Sequence, residues 1–137
     1  MSELNFHSDK STPPLKLIPL VLKLKDGYGI WQQYLGHFPK ANRFTLGSKI
    51  DEVFLSTIEY GFLASYAAGN EKLQLINRCI ARTDLLKLLL QLSWEIRALD
   101  NNKYAHLSGY LAETGKMLGG WRKQTIQKTP EQSREKS

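Results

Sequence analysis

Few side chains in this chain are suited to chemistry: three histidines and a single cysteine are the obvious candidates. His7 falls in a polar leader, His37 at a helix end and His106 near a helix start, with no His-x-x-x-His pair and no carboxylate at ligand spacing. No metal site is therefore expected. Cys79 lies among leucines and isoleucines, where a thiol packs as a small hydrophobe and its pKa rises, so a Cys79 and His106 nucleophile pair is the weaker reading. A lone cysteine also excludes an intrachain disulfide and fits a reducing compartment. Gly27-x-Gly29 lacks both the third glycine and the preceding strand of a dinucleotide fingerprint, and no Gly-Lys-Ser/Thr follows a glycine-rich loop. Glu113 is expected to pack or to cap a neighbouring chain. These patterns predict a protein that is not an enzyme and that uses no cofactor.

The basic residues point elsewhere. A formal charge of +6 and a pI near 9.5 favour a polyanionic partner, RNA or DNA. Arg78 and Arg82 are one helical turn apart and project together, and Lys87 lies on a narrow polar strip of the same segment. Lys116, Arg122 and Lys123 gather toward the end of the last helical segment, where cations also suit the helix dipole. These six residues are the candidate nucleic-acid contacts. The plainer reading of each is a solvated, solubilising surface.

The elements that must position them read as an all-α chain. With 137 residues, 42% apolar and 23% charged, one soluble globular domain is expected. Leu15 to Leu24 is interrupted by Lys16, Pro19 and Lys23 and falls short of the roughly 20 residues needed to span a bilayer. The polar start reads as no signal peptide, so no membrane contact and a cytoplasmic location are expected. Residues 1–19 read as a flexible leader, 20–126 as a four-helix domain and 127–137 as a disordered polar tail.

Within the domain the spacing predicts helices over Leu20 to His37, Arg43 to Ala68, Glu71 to Leu99 and Lys103 to Lys123. The residue before Pro39 is pushed out of helical geometry, which ends the first. The second would be on the order of 38 Å long. Gly69 supplies a left-handed stop and Asn70 a side-chain cap, and Asp100-Asn101-Asn102 separates the last two helices. Short links between long helices predict an antiparallel bundle.

The helices carry more apolar surface than one bundle needs. At about 100° per residue, Leu73, Ile76, Ile80, Thr83, Leu90 and Trp94 line one side of the third helix, while Leu85, Leu89, Leu92, Ile96 and Leu99 line another. Leu55, Ile58, Phe62 and Tyr66 form a second strip on the second helix. Surplus faces predict self-association; helices nearly surrounded within one chain are the alternative. Ser108, Ala112, Gly115 and Gly119 align on the fourth helix, and Gly61, Ala64 and Ala68 on the second. Glycine inside a helix costs roughly 0.5–1 kcal/mol relative to alanine, so Gly115 and Gly119 suggest a second backbone passing close by.

Three stretches carry a family resemblance: Phe38-Pro39-Lys40-Ala41-Asn42-Arg43-Phe44-Thr45-Leu46-Gly47, Leu85-Leu86-Lys87-Leu88-Leu89-Leu90-Gln91-Leu92, and Glu113-Thr114-Gly115-Lys116-Met117-Leu118-Gly119-Gly120-Trp121. With these the chain resembles the accessory variability determinants of diversity-generating retroelements, and is similar to the four-helix proteins of 23S rRNA intervening sequences. The resemblance implies a four-helix bundle assembled as a barrel-like homopentamer. It implies no catalysis, a positive surface that binds template RNA or cDNA, and a reverse transcriptase as partner in mutagenic copying. Trp121 belongs to the closing motif and is expected in packing. Family members often carry a second arginine in the leucine-rich stretch; Gln91 here leaves Lys87 alone and shifts the expected contact toward Arg78 and Arg82, which enter from spacing. The rival readings are a stand-alone intervening-sequence protein and a protein-protein adaptor that binds no nucleic acid.

Overall fold

The computed structural model describes residues 15–129, and no strand occurs among them. Residues 1–14 and 130–137, most of the expected leader and tail, lie outside the described residues. Four long helices make up the fold: α1 (Pro19–Leu35), α2 (Ser48–Tyr66), α3 (Gly69–Glu95) and α4 (Asn101–Lys128). Each packs on the next and α4 returns to α1, so the short links produce an antiparallel four-helix bundle.

Pro19 starts α1 at a position where its missing N–H costs nothing. The chain leaves α1 through Gly36 and turns at Phe38-Pro39, burying Phe38 edge-on against Trp31 with ring centroids 5.6 Å apart. The second helix departs from expectation at both ends. Lys40–Asn42 forms one helical turn and Arg43–Gly47 a π-helical turn before α2 proper begins at Ser48. Arg43 braces that turn, its Nη2 donating to the carbonyls of Phe38 at 3.1 Å and Gly36 at 3.4 Å. The helix that follows is about 28 Å long rather than 38 Å. A periodicity plot cannot see an inserted residue that rewinds one turn.

Gly69 has φ +58 but stands at the first position of α3 rather than at the stop of α2, which ends at Tyr66 with extended Ala67 as its C-cap, and Asn70 is no cap. Ala68 holds the extended N-cap position, and Asn70, already inside the first turn, leaves its Oδ1 buried without a partner. At its other end α3 stops at Glu95 although Ile96 and Leu99 continue the apolar spacing. Arg97 adopts φ 65, the Arg97 N–H donates to the Trp94 carbonyl, and the Ala98 N–H to the Ser93 carbonyl at 2.7 Å. This is a Schellman stop with arginine where glycine is usual. It folds Leu99 into the core instead of extending an outer face. Asp100 then caps α4, accepting from the Lys103 N–H at 2.9 Å. At its far end α4 runs on through Gln127 to Lys128, past the expected Lys123, and Thr129 donates to the Thr125 carbonyl.

Two apolar clusters fill the bundle. One joins Trp31, Phe38, Ile50, Phe54, Leu86, Leu90, Leu107 and Leu111; the other joins Leu20, Leu24, Ala64, Ile76, Cys79 and Leu118. Buried hydroxyls do not interrupt them, because Thr57, Thr83, Ser93 and Thr114 each donate to the carbonyl four residues back. Asp51 ties α1 to α2 by accepting from Tyr28 Oη, Trp31 Nε1 and Gln32 Nε2 on one oxygen.

Candidate nucleic-acid interface

The six basic residues chosen from spacing divide into two groups on opposite sides of α3. Arg78 and Lys87 are nine residues apart, which at about 100° per residue places them half a turn from each other. Arg78 borders a hollow of about 440 Å³ between α2 and α3, with Leu63, Tyr66 and Leu75 in its wall. Arg82, half-buried, follows one turn along. No acid pairs with either arginine among the described residues, so both guanidinium groups are available to an anion.

The second group lies between α3 and α4. A groove of about 350 Å³ is lined by Ile80, Thr83, Lys87, Gly115, Lys116 and Gly119, among others. Lys87 is 3.9 Å from Asp84, and beyond the groove Arg122 Nε donates to Asn77 Oδ1 at 2.7 Å. Lys116 and Lys123 are exposed. Both groups are basic, and Arg78 and Lys87 lie half a turn apart on α3, so a polyanion that contacts both must follow the helix around or meet a second chain.

Within one chain, the glycines of the closing motif meet no second backbone. A Cβ on Gly115 would meet only Lys87, with Nζ at 3.1 Å, and one on Gly119 would meet nothing within 4 Å. The Lys87 side chain occupies the gap at Gly115. The close helix approach falls at Gly27 of α1, whose added Cβ would sit 3.3 Å from Tyr110 Cδ1 and 3.4 Å from Phe54 Cζ; on Gly61 it would make ordinary contacts, 3.6 Å from both Cys79 Sγ and Leu24 Cδ1. Within its own chain Glu113 binds Lys23 Nζ at 2.7 Å, while that ammonium lies 4.3 Å from the Tyr110 ring centroid. The Lys23 hydrogen bond holds the Glu113 carboxyl below its usual range. Trp121 packs half-buried against the second cluster, 5.4 Å under Lys72 Nζ.

The outer strips are a mixture. Ile58 is drawn into both clusters, and Leu85 and Leu89 pack in part against the first. Phe62 is edge-on to Tyr66. Leu55, Leu92 and Ile96 remain 47%, 42% and 48% exposed, joined by Leu88 at 59%. Apolar surface is thus left over on α2 and α3, smaller than the spacing implied because Leu85 and Leu89 are partly covered and Leu99 is buried.

Cys79 and His106 do not meet. The thiol donates to the Thr57 carbonyl at 3.4 Å, and burial pushes its pKa up to about 12; His106 Nδ1 is 2.7 Å from Tyr34 Oη. Among the described residues no group of three or more His, Cys, Asp or Glu could hold a metal ion, and no helix is long and apolar enough to cross a membrane. Sequence reasoning missed Lys23, Lys72 and Asp51, whose partners lie on other helices.

Comparison with known proteins bears on this arrangement at one point. A family model described as bAvd-like matches residues 24–125, which reach from within α1 to within α4 and include the closing motif. No curated protein and no solved structure matches the chain.

Proposed function

Since the chain belongs to the bAvd-like family, the bacterial accessory variability determinants, a non-catalytic helical family, we propose that it is a self-associating, nucleic-acid-binding accessory subunit that works beside a retroelement reverse transcriptase. The observation that carries this reading is the pairing of uncovered leucines with unspent cations on α3: Leu88 and Leu92 project into solvent on the helix that also carries Arg78 and Arg82. Burying a leucine contributes roughly 1.5–3 kcal/mol, so a row of them favours association with further copies. Association repeats each arginine pair around the assembly, in the homopentamer of the family five times, and raises the field that a template RNA or its cDNA meets. The subunit would hold the template near the polymerase, which supplies the chemistry.

Light scattering and RNA mobility shifts test this together. The expected results are a mass of several chains and template binding that weakens steeply between about 50 and 200 mM salt. Arg78→Ala with Arg82→Ala should lower affinity and flatten the salt dependence without changing the mass. A monomer would overturn the assembly; an oligomer that ignores RNA at low salt would leave a protein-protein adaptor.

A further inference from the structure

The turn between α3 and α4 is flanked by an aromatic pair, Trp94 and Tyr104, that the basic residues above do not use. Trp94 falls on the apolar side of α3 in the sequence pattern, yet it is 40% exposed. Tyr104 covers one of its faces, the rings nearly parallel at 14° with centroids 5.1 Å apart. Its indole N–H donates to Asn101 Oδ1 at 2.7 Å, which satisfies the polar edge and fixes the ring plane. The remaining surface opens on a hollow of about 660 Å³ that Arg97, Leu99, Asp100 and Asn101 also line.

The charges around this hollow are unequal in availability. Asp100 is paired with the Lys103 N–H and Nζ, whereas Glu95, which also lines the hollow, accepts only from the neutral amide of Gln91 and keeps its negative charge. Arg97 has no side-chain hydrogen bond or ion pair among the described residues. It also occupies, at φ 65, the position of a Schellman stop that glycine fills without strain. A strained arginine with no side-chain partner among the described residues is the kind of outlier that marks a site.

We propose that Trp94 stacks a base of single-stranded nucleic acid against its open face while Arg97 takes an adjacent phosphate. The proposal rests on the nucleic-acid reading above and adds a second contact point to it, one that needs unpaired bases. A rigid aromatic face with a free guanidinium beside it suits a base and its phosphate, since every base offers a π-face and stacking tolerates any sequence.

The test uses the full chain with an oligouridylate of about 12 nucleotides and with a duplex RNA of equal length. Trp94→Ala should weaken single-strand binding about ten-fold, leave duplex binding unchanged and leave the salt slope intact; Trp94→Phe should restore most of the affinity. Arg97→Gln should lower the single-strand salt slope by about 0.7. Single-strand affinity unchanged in a folded Trp94→Ala chain would overturn the stacking site while leaving nucleic-acid binding in place, and would return Trp94 to packing or a protein contact. A chain that binds neither RNA overturns both readings. If Trp94→Ala fails to fold, ultraviolet crosslinking of oligouridylate to the unaltered chain decides: adducts at Trp94 or Tyr104 support the site, and adducts confined elsewhere refute it.

Discussion

Replacing Gly119 by alanine should stabilise this protein, although the glycine belongs to its most distinctive motif. The position is helical, and an added Cβ finds nothing within 4 Å. The substitution therefore loses no contact and removes only the backbone entropy penalty of glycine, about 1 kcal/mol in a helix interior. For a domain of this size that is a rise in Tm of about 4 °C. Gly120 provides the control. Its Cβ also enters open space, but about 100° further round α4, off the strip that Gly119 shares with Gly115. Thermal melts by circular dichroism, at one protein concentration because association shifts Tm, should give the two variants equal gains and unchanged mass by light scattering. If Gly119→Ala melts lower than Gly120→Ala, or changes the mass, a second chain lies on the glycine strip and reasoning from the single bundle fails there.

Gly61 should behave oppositely when enlarged. Alanine fits, since its Cβ would make ordinary contacts near 3.6 Å, whereas Gly61→Leu would drive three further carbons toward Cys79, Leu24 and Val21 and cost about 1–3 kcal/mol in urea unfolding; a leucine variant as stable as the parent would show the interior to be loose. The Lys23 and Glu113 pair predicts a pH dependence. Its hydrogen bond lowers the Glu113 pKa and raises that of Lys23, so the contribution is present at neutral pH and lost as acid protonates Glu113 below its ordinary 4.5, or as base deprotonates Lys23 above its ordinary 10.5. The Tm difference between the parent and Glu113→Gln should then be full at pH 7 and close toward pH 3; a constant difference would mean that the ion pair contributes nothing.

Most of what the chain settled by itself is local. Helical spacing located four helices, Pro39 and Gly69 marked two of the breaks, and the company of leucines around Cys79 foretold a buried, inert thiol. Each of these depends on neighbours within a turn or two, which a linear string records. The α3 stop at Arg97 escaped notice because its signal is usually a glycine, and the π turn at Arg43–Gly47 because an extra residue in one turn leaves the flanking apolar pattern intact.

The rest needed three dimensions. Only the packing of α3 between α2 and α4 decided that Arg78 borders α2 and Lys87 borders α4, that Leu99 belongs to the core, and that Gly27 rather than Gly115 is where helices crowd. Spacing assigns side chains to faces of a helix, but which face meets a neighbour depends on partners tens of residues away. Trp94 shows this most plainly. Its periodicity is that of a buried residue, and it stands half open because the chain turns beside it and Tyr104 covers only one face.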